Sequence, residues 1–449
     1  MLKPFLKVHS APEARERLRQ FGRVGIQDVP IDDALFRVLA DPVTAAEDMP
    51  GFDRSTIDGF AVRSRDTFGA TETSPALFHL VGEISMGQIP DLTLKRGEAV
   101  RIWTGGALPS NADAVVMVEH AEELDARTIE VLKAVAPFDN MVHRGEDFKA
   151  RDTLLKAGQR LRPSDLGLLA AMGLTSVRVY RRPSVAIISS GDEIVPIDVD
   201  PPAGCVRDIN RHTLAACVKE AHGEPVWVGI AQDRLADLSP LIDRALKTAD
   251  LVMISGGSSM GSRDLVIEAI EAYEDSAILL HGVSVSPGKP FILARVGAQP
   301  VVGLPGHPVS AMVCFEQFVA PLMRRLEGED VINPFLRPSF PALLSRNVPS
   351  KEGRLDFVRV RLTIKERRLT AVPVIGKSGM ISTMVRAHGH ITIEPDCEGL
   401  YKGDLVNVHL FSHWMEEDLA TQYLSGHEAS SRGALDLFAT PAHEKLSRT

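Results

Sequence analysis

This sequence of 449 residues lacks long apolar runs, paired cysteines and a surplus of positive charge. No apolar stretch approaches the roughly 20 residues of a membrane-spanning helix, and the N-terminal segment has no apolar centre of the kind that marks a secretory signal. The four cysteines form no C-x-x-C pair, which argues against a zinc site or a disulfide framework and is typical of free thiols in a reducing compartment. We therefore expect a cytoplasmic protein with no membrane span.

The net charge of the chain limits the classes of partner that it is expected to bind. The formal net charge is −9 and the isoelectric point is about 5.9. Proteins that bind duplex nucleic acid usually carry a basic footprint, so we expect no nucleic-acid partner, while a local basic pocket for a small anion stays open. The phosphate-binding pattern G-x-x-x-x-G-K-[ST] of the Walker loop is also absent. The length predicts two to four domains.

The pattern of elements changes along the chain. Helical patterns at 11–22 and 31–39 precede a β-rich stretch from Pro50 to about Val135. From 184 to 327, strands alternate with helices, which predicts βαβ units and a parallel, doubly wound sheet covered on both faces. Residues 329–412 return to strand patterns, and the tail from His413 is polar and predicted to be mobile or a loose helix.

A glycine-rich stretch, SGGSSMGSRD, follows one strand of the predicted sheet. Ligands of such sheets bind beyond the carboxyl ends of the strands. Glycines let backbone N–H groups approach an anion, the next helix N-terminus adds partial positive charge, and serine hydroxyls can donate. The alternative is an ordinary glycine-rich turn with a good helix cap. The candidate binding residues here are Gly256, Gly257, Ser258, Ser259 and Gly261.

Two further loops strengthen the prediction that this edge of the sheet binds an anion. SPGKPFIL holds Lys289 between Gly288 and a proline at the mouth of a strand, which favours an anion contact over a merely solvated lysine. GLPGHPVSAMV opens a helix in which His307 could act as the cap and Ser310 could offer its N–H and hydroxyl. Its other candidate binding residues are Pro305, Gly306 and Pro308. Three such loops at one sheet edge predict a site for a phosphorylated ligand.

Acidic residues lie beside these loops. Asp192 and Glu193 follow a strand, Asp233 opens a predicted helix, and Asp264 ends the glycine-rich loop. Acids near phosphates usually hold a divalent cation that joins the two, and simple helix capping is the alternative for Asp233 and Asp264. The arrangement suggests metal-assisted chemistry on a phosphoanhydride.

The first half of the chain contributes three candidates. Asp58 lies in STIDGFAVR, where Asp-Gly is also a common hairpin turn. Thr104 ends a strand before Gly105 and Gly106, and Asp147 in RGEDF lies on a predicted loop, where a solvated acid is the alternative.

Seven motifs in this order resemble the molybdopterin molybdenumtransferase family, called MoeA in bacteria and the gephyrin E domain in animals. They are STIDGFAVR, RIWTGGALPSNADAVVM, RGED, SSGDEIV, SGGSSMGSRD, PGKP and LPGHPVSA, and the match spans about residues 10–412. The resemblance implies an elongated homodimer with a discontinuous linker and dimerisation domain (1–50 and 142–182), an inserted β-rich module (51–141), a molybdopterin-binding α/β domain (183–328) and a C-terminal β barrel-like domain (329–412), followed by a polar tail (413–449).

The same resemblance implies a reaction. The family takes adenylylated molybdopterin and molybdate, releases AMP and leaves molybdenum on the dithiolene sulfurs, in a cleft between the α/β domain of one subunit and the β module of the other. By matched motif, the implied active-site set is Asp58, Thr104, Asp147, Glu193, Asp233, Asp264, Lys289 and Ser310. Asp233, Asp264 and Glu193 are the implied ligands of Mg²⁺ or another divalent cation. Arg359, Ser382 and Thr383 are implied anion contacts, and a molybdopterin adenylyltransferase and target molybdoenzymes are implied partners.

Three departures from the family pattern leave alternatives open. Ser286 stands where a basic residue usually precedes PGKP, His307 replaces an asparagine, and Ser262 replaces an acid of the glycine-rich loop. His307 or Arg263 could compensate for the lost charge. The alternatives are a non-catalytic paralogue that carries cofactor or serves as a scaffold for a molybdoenzyme, and a transferase specific for tungstate.

Overall fold

The computed structural model describes residues 8–256, 262–329, 337–365 and 368–411, with the side chains of 262–264 excepted. The chain forms two compact units, one within Pro30–Leu35 and Asp41–Val177 and the other within Met1–Val29, Phe36–Ala40 and Arg178–Thr449. No described helix is both long and apolar enough to cross a membrane. The α-helices are Ala11–Glu16 (α1), Pro163–Ala171 (α2), Asn210–Glu220 (α3), Leu235–Thr248 (α4), Ser262–Glu271 (α5), Pro308–Cys314 (α6), Ala320–Leu326 (α7) and Ser382–Val385 (α8).

The first unit is built around one six-stranded sheet. Its strands, in the spatial order β4-β1-β3-β2-β6-β5, are Gly59–Val62 (β1), Ala76–Ile84 (β2), Glu98–Ile102 (β3), Ala114–Met117 (β4), Ala121–Asp125 (β5) and Thr128–Val131 (β6). Apolar side chains fill both faces near the centre, among them Phe60 and Phe78 on one face and Val100 and Ile102 on the other. The β-rich stretch predicted from the sequence is therefore present.

The second unit contains a mixed α/β sheet. Its strands, in the spatial order β8-β7-β9-β12-β11-β10, are Ser184–Ser190 (β7), Glu224–Ala231 (β8), Leu251–Gly256 (β9), Ser276–His281 (β10), Ile292–Val296 (β11) and Gln299–Leu304 (β12). The first four in space are parallel, but β11 runs antiparallel to both β10 and β12. The predicted parallel sheet is present in the first four strands, and the other edge is antiparallel because a two-residue turn joins β11 to β12 as a hairpin.

Helices cover both faces of this sheet. The core on one face includes Val185, Leu251 and the buried residues of α6 and α7, and the core on the other includes Ile188, Ile254 and Leu238 of α4. The helix that begins at Pro308 is interrupted: a π-helical turn, Phe315–Val319, separates α6 from α7.

The C-terminal strands close into a barrel. They are Ser339–Leu344 (β13), Leu355–Lys365 (β14), Arg368–Pro373 (β15), Gly389–Ile393 (β16) and Leu405–Leu410 (β17), in the order β14-β15-β13-β17-β16. A further pairing of β14 with β16, from Asp356↔Ile393 to Val360↔Gly389, closes the ring. Closure leaves no free edge among these five strands. The short strand Val285–Ser286 pairs with the start of β14 and so joins the α/β domain to the barrel.

The remaining elements are short. The 3₁₀ turns are Arg17–Gln20, Ile31–Asp33, Ser64–Thr67 and Val118–His120. The short strands are Ile26–Pro30, Val43–Thr44, Arg54–Ser55, Met141–Val142, Thr153–Leu155, Ser176–Tyr180, Ile194–Val195, Val206–Arg207, Val348–Pro349 and Gly399–Leu400. The predicted tail from His413 lies outside the described residues.

Candidate functional site

Strands β7, β9 and β12 end at one edge of the α/β sheet, where the glycine-rich loop begins. Gly256 has a φ of +124°, and a Cβ built on it would lie 1.8 Å from the backbone oxygen of Ser190 on the neighbouring strand. Only glycine fits this position. Gly257, Ser258, Ser259 and Gly261 lie outside the described residues, and so does the side chain of Asp264, whose backbone is in the first turn of α5.

Asp233 is held by its neighbours in the sheet rather than by the helix that follows it. Its Oδ1 accepts a hydrogen bond from the Ser190 hydroxyl at 3.0 Å, and its backbone N–H donates to Oδ1 of Asp192 at 3.0 Å. Arg234 is the N-terminal cap residue of α4, so the alternative interpretation of Asp233 as a simple helix cap is wrong. Asp192 therefore belongs beside Asp233, although only Glu193 of that pair was in the predicted set.

Glu193 folds back over the turn that precedes it. A Cβ on Gly191 would lie 2.8 Å from Oε2 of Glu193. The absence of a side chain at Gly191 therefore leaves room for this carboxylate. Among the described residues, no group of three or more His, Cys, Asp or Glu side chains is arranged to hold a metal ion. The adjacent carboxylates of Asp192 and Asp233 nevertheless offer the hard oxygen donors that Mg²⁺ requires.

Asn210, absent from the predicted set, ties two of the loops together. Its Nδ2 donates to Ser255 Oγ at 2.8 Å and to the backbone oxygen of Gly306 at 2.8 Å. Ser255 is the last residue but one of β9 and Gly306 follows β12, so one buried amide fixes the separation of the glycine-rich loop and the PGHP loop (Pro305–Pro308). The sequence signal was a polar side chain on the first residue of α3, which indicated only a helix start.

The PGKP loop (Pro287–Pro290) packs against α6. Gly288 has a φ of +123°, and a Cβ on it would lie 2.6 Å from Sγ of Cys314, whose thiol donates to the Gly288 oxygen at 3.3 Å. This close contact holds the loop down and leaves Lys289 exposed at its tip. In the described part of the chain, no acidic side chain pairs with Lys289, so its ammonium is available to an anion.

The PGHP loop contacts the barrel domain through His307. The Nδ1 atom of His307 lies 2.9 Å from Ser378 Oγ, and the N–H of Val309 donates to the Ser378 oxygen at 3.1 Å. His307 occupies the cap position of α6 but makes no capping hydrogen bond through its side chain, so the predicted cap is wrong. Ser310 is buried in the first turn, with 5% of its surface exposed.

A cavity of about 350 Å³ lies between these loops and the barrel, with Ser286, Pro287, Arg359 and Ser378 among its lining residues. Arg359 is 9% exposed, and its Nη2 donates to the Gly376 oxygen at 2.8 Å while its Nε has no partner. Burial lowers the pKa of Arg359. The acid in the cavity wall, Asp356, pairs instead with Arg354 at 2.7 Å. Among the described residues, the guanidinium of Arg359 is thus a buried charge without a carboxylate, and it shares the cavity with Ser286, which replaces a basic residue.

The other two predicted barrel residues do not line this cavity. Thr383 is fully buried and its hydroxyl donates to the Met380 oxygen at 2.7 Å, while Ser382 is exposed on α8. Their predicted role as anion contacts therefore lacks the geometry that Arg359 has.

The three candidates of the first unit are exposed. Asp58, directly before β1, accepts two hydrogen bonds on Oδ1, from the N–H and from the hydroxyl of Thr104, each at 2.7 Å. These bonds lower the pKa of Asp58, which keeps its carboxylate ionised. Asp147 is exposed on a turn, its N–H donating to the Met49 oxygen at 3.1 Å.

Comparison with known proteins decides the family. Residues 9–173 match the MoeA N-terminal region (domain I and II), residues 186–325 match a probable molybdopterin binding domain, and residues 341–411 match the MoeA C-terminal region (domain IV). A molybdopterin molybdenumtransferase of Haemophilus influenzae is 32% identical over 385 residues, which are 85% of this chain and 93% of that protein. The chain belongs to the MoeA family of molybdopterin molybdenumtransferases.

Other MoeA relatives agree with this assignment. A putative molybdopterin biosynthesis protein of Methanocaldococcus jannaschii is 35% identical and covers 86% of this chain and 92% of its own. A solved MoeA structure from Pyrococcus horikosii is 36% identical, with a TM-score of 0.75 over 91% of this chain and 100% of that one. The predicted MoeA-like multidomain fold and the predicted transferase class are confirmed, and the protein is an enzyme of molybdenum cofactor biosynthesis.

Proposed function

We propose that this MoeA-family enzyme inserts molybdenum from molybdate into adenylylated molybdopterin and releases AMP with the help of a divalent cation such as Mg²⁺. The observation that carries the proposal is the cavity with Arg359, because a buried guanidinium that pairs with no carboxylate in the described part of the chain suits an oxyanion. Molybdenum–sulfur bonds form to the dithiolene as molybdate oxygen leaves with the thiol protons as water, and attack by water cleaves the phosphoanhydride of the adenylylated substrate, which releases AMP.

Each loop has a proposed task. Arg359 and Lys289 bind the oxyanion, and the glycine-rich loop with the N-terminus of α5 binds the phosphates. The PGHP loop with Ser310, fixed by Asn210, completes the pocket. Asp58, Thr104 and Asp147 contact substrate from the first unit.

Asp233, Asp264 and Glu193 are the proposed cation ligands, and the position of Asp192 beside Asp233 adds a fourth candidate. A bound divalent cation neutralises phosphate charge and favours departure of AMP. The chain's own contribution is to hold Asp233 in place through Ser190 and Asp192.

The assembly is also part of the proposal. We propose a homodimer in the cytoplasm in which the α/β domain of one subunit and the β module of the other form the active cleft, with a molybdopterin adenylyltransferase and recipient molybdoenzymes as partners. The proposed domain boundaries remain those given by the sequence: 1–50 with 142–182, 51–141, 183–328, 329–412 and the tail 413–449.

AMP release from adenylylated molybdopterin, measured with Mg²⁺ and with or without molybdate, tests the proposal. We expect molybdate-dependent release by the wild type and a strong loss in Lys289→Ala and Asp264→Asn. The matched control is Lys365→Ala, which removes an exposed lysine at the end of β14. Turnover that is unchanged in both site variants would contradict the assigned site.

Two other functions are separated by the same assay. A carrier or scaffold would bind substrate tightly without releasing AMP. Ser286 is the residue that favours this candidate, and Arg359 in the same cavity weighs against it. A tungstate-specific transferase would show tungstate outcompeting molybdate at equal concentration.

A further inference from the structure

The Asp58–Thr104 pair lies among exposed apolar side chains that no role above explains. Trp103, directly before Thr104, is 38% exposed, and Met86 in the loop after β2 is 61% exposed. The methyl carbon of Met86 lies 3.6 Å from where a Cβ on Gly105 would be. Large apolar side chains that are held at a surface commonly mark a binding site.

The indole of Trp103 is held in a fixed orientation. Its Nε1 donates to Oε1 of Glu83 at 2.8 Å, and Glu83 is on β2, the strand next to β3. The pairing of β1 with β3 ends at Gly59↔Ile102, so Asp58 and Trp103 are the next residues beyond these two strand ends, and Asp58 is hydrogen-bonded to Thr104, the neighbour of Trp103. A tryptophan with its N–H already bonded offers a flat face for stacking without further ordering cost.

The carboxylate of Asp58 is arranged to accept hydrogen bonds from a ligand. Thr104 occupies Oδ1 with two donors at 2.7 Å. Within the described residues, Oδ2 has no donor, so both of its lone pairs remain for a bound molecule. A single carboxylate beside indole and thioether surfaces is a poor cation site, because hard cations require several oxygen ligands.

We propose that Trp103, Met86 and Asp58 bind the pterin ring of the substrate, with Trp103 and Met86 against the ring face and Oδ2 of Asp58 accepting N–H bonds from its aminopyrimidine edge. The inference rests on the proposed function, which supplies a substrate that contains a pterin. That edge carries two adjacent donors, the 2-amino group and the ring N–H. Adenine, the other ring of the substrate, places an acceptor nitrogen beside its amino group and would repel the carboxylate.

Calorimetric titration with 6-hydroxymethylpterin, and separately with AMP, tests this assignment in the full-length protein. We expect Trp103→Ala and Asp58→Asn to weaken pterin binding about tenfold or more, while Trp103→Phe, which keeps a ring, loses about threefold or less. AMP binding should not change. Leu77→Ala is the control, because Leu77 is 62% exposed on the same sheet, and circular dichroism confirms that each variant is folded.

Three outcomes overturn the proposal: no pterin binding by the wild type at millimolar probe, unchanged pterin affinity in Trp103→Ala and Asp58→Asn, or a loss of AMP affinity instead. The proposed function has its own readout, molybdate-dependent AMP release by the wild type. Failure of pterin binding with intact AMP release would therefore remove the ring site alone.

Discussion

At the scale of single residues, the least common feature is the charge of Arg359 inside the barrel wall. A buried cation without a counter-ion lowers stability, because its desolvation is not offset by an opposite charge. Arg359 is 9% exposed, and its Nε atom has no hydrogen-bond partner among the described residues. In the proposed function, a bound oxyanion would supply an opposite charge, so the affinity for the anion and the free-energy cost of burying Arg359 would depend on the same side chain.

Replacing Arg359 by glutamine tests whether the affinity for the oxyanion depends on the charge of this side chain. We expect Arg359→Gln to raise the KM for molybdate about tenfold or more, since a charge-assisted hydrogen bond is lost, while thermal stability stays equal or rises. Arg361→Gln, on the same strand but exposed, is the control. Steady-state AMP release over a molybdate series measures both, and equal KM values for the two variants would exclude Arg359 from the oxyanion site.

The resemblance of motifs predicted Arg359 and Lys289, but it could not rank the barrel residues. From the sequence, Arg359 and Thr383 are equally suitable as anion contacts. The structure distinguishes them, because the Thr383 hydroxyl already donates a hydrogen bond to the Met380 oxygen. Asn210 was missed for a related reason. Its function depends on Ser255 and Gly306, each far from it in the chain.

At the scale of elements, close approach between strands and loops organises the site. Gly256 lets the end of β9 approach β7 more closely than any side chain allows. The run of small residues in the sequence predicted the loop. The close approach of β9 to β7, which requires glycine at this position, is visible only in the folded sheet.

Substitution of Gly256 by alanine should show this requirement directly. A Cβ 1.8 Å from the Ser190 oxygen at a φ of +124° forces the backbone to move, and we expect a loss of about 3 kcal/mol or more in unfolding free energy. Gly167→Ala, in α2 with open space around it, should instead gain up to about 1 kcal/mol. Urea denaturation compares the two, and similar stabilities would contradict the steric argument.

The PGHP loop is the second element with a chain-specific contact. His307 bonds Ser378 of the cavity wall, so it positions the barrel loop that faces Arg359. We expect His307→Ala to raise the molybdate KM several-fold with kcat less affected, and His307→Asn to restore it in part, because an amide can also bond the Ser378 hydroxyl. If both variants lowered kcat equally and left KM unchanged, the positioning role would be wrong.

Element prediction failed where tertiary structure overrode a local pattern. The helix predicted at 31–39 is reduced to the 3₁₀ turn Ile31–Asp33, and Phe36 adopts a φ of +61°, which a helix does not allow. Helices with strong caps, such as α1 after Ser10, form where the sequence indicated them.

At the scale of the whole molecule, the contact between the α/β domain and the barrel contains titratable groups. Glu316 lies in the π-helical turn, with 16% of its side chain exposed, and its Oε2 is 3.9 Å from Nδ1 of His390 on β16. Burial raises the pKa of Glu316 to about 7 and lowers that of His390 to about 3. Nearby charges are Arg337, which pairs with Glu220 at 2.8 Å, and His409, whose ring stacks on His390 at 5.4 Å.

These two groups give opposite pH dependences. Because the pKa of Glu316 is raised on folding, its contribution is fully present below about pH 4.5 and is lost as the pH rises to about 7. The pKa of His390 is depressed, so its contribution is present above about pH 6.5 and is lost as the pH falls towards about 3. Between about pH 4.5 and 6.5 the two contributions to the free energy of unfolding change in opposite directions and largely cancel. Denaturation of the wild type alone would therefore reveal neither of them.

Glu316→Gln separates them, because glutamine imitates the protonated acid at every pH. The variant should match the wild type at about pH 4.5 and exceed it at about pH 8 by up to about 3 kcal/mol, since each pH unit of the interval contributes about 1.4 kcal/mol. Urea denaturation at both pH values measures the difference, with Glu352→Gln at an exposed position as the control. A difference that does not change with pH would mean that Glu316 is ionised in the folded protein over this pH range and that its pKa is not raised by burial.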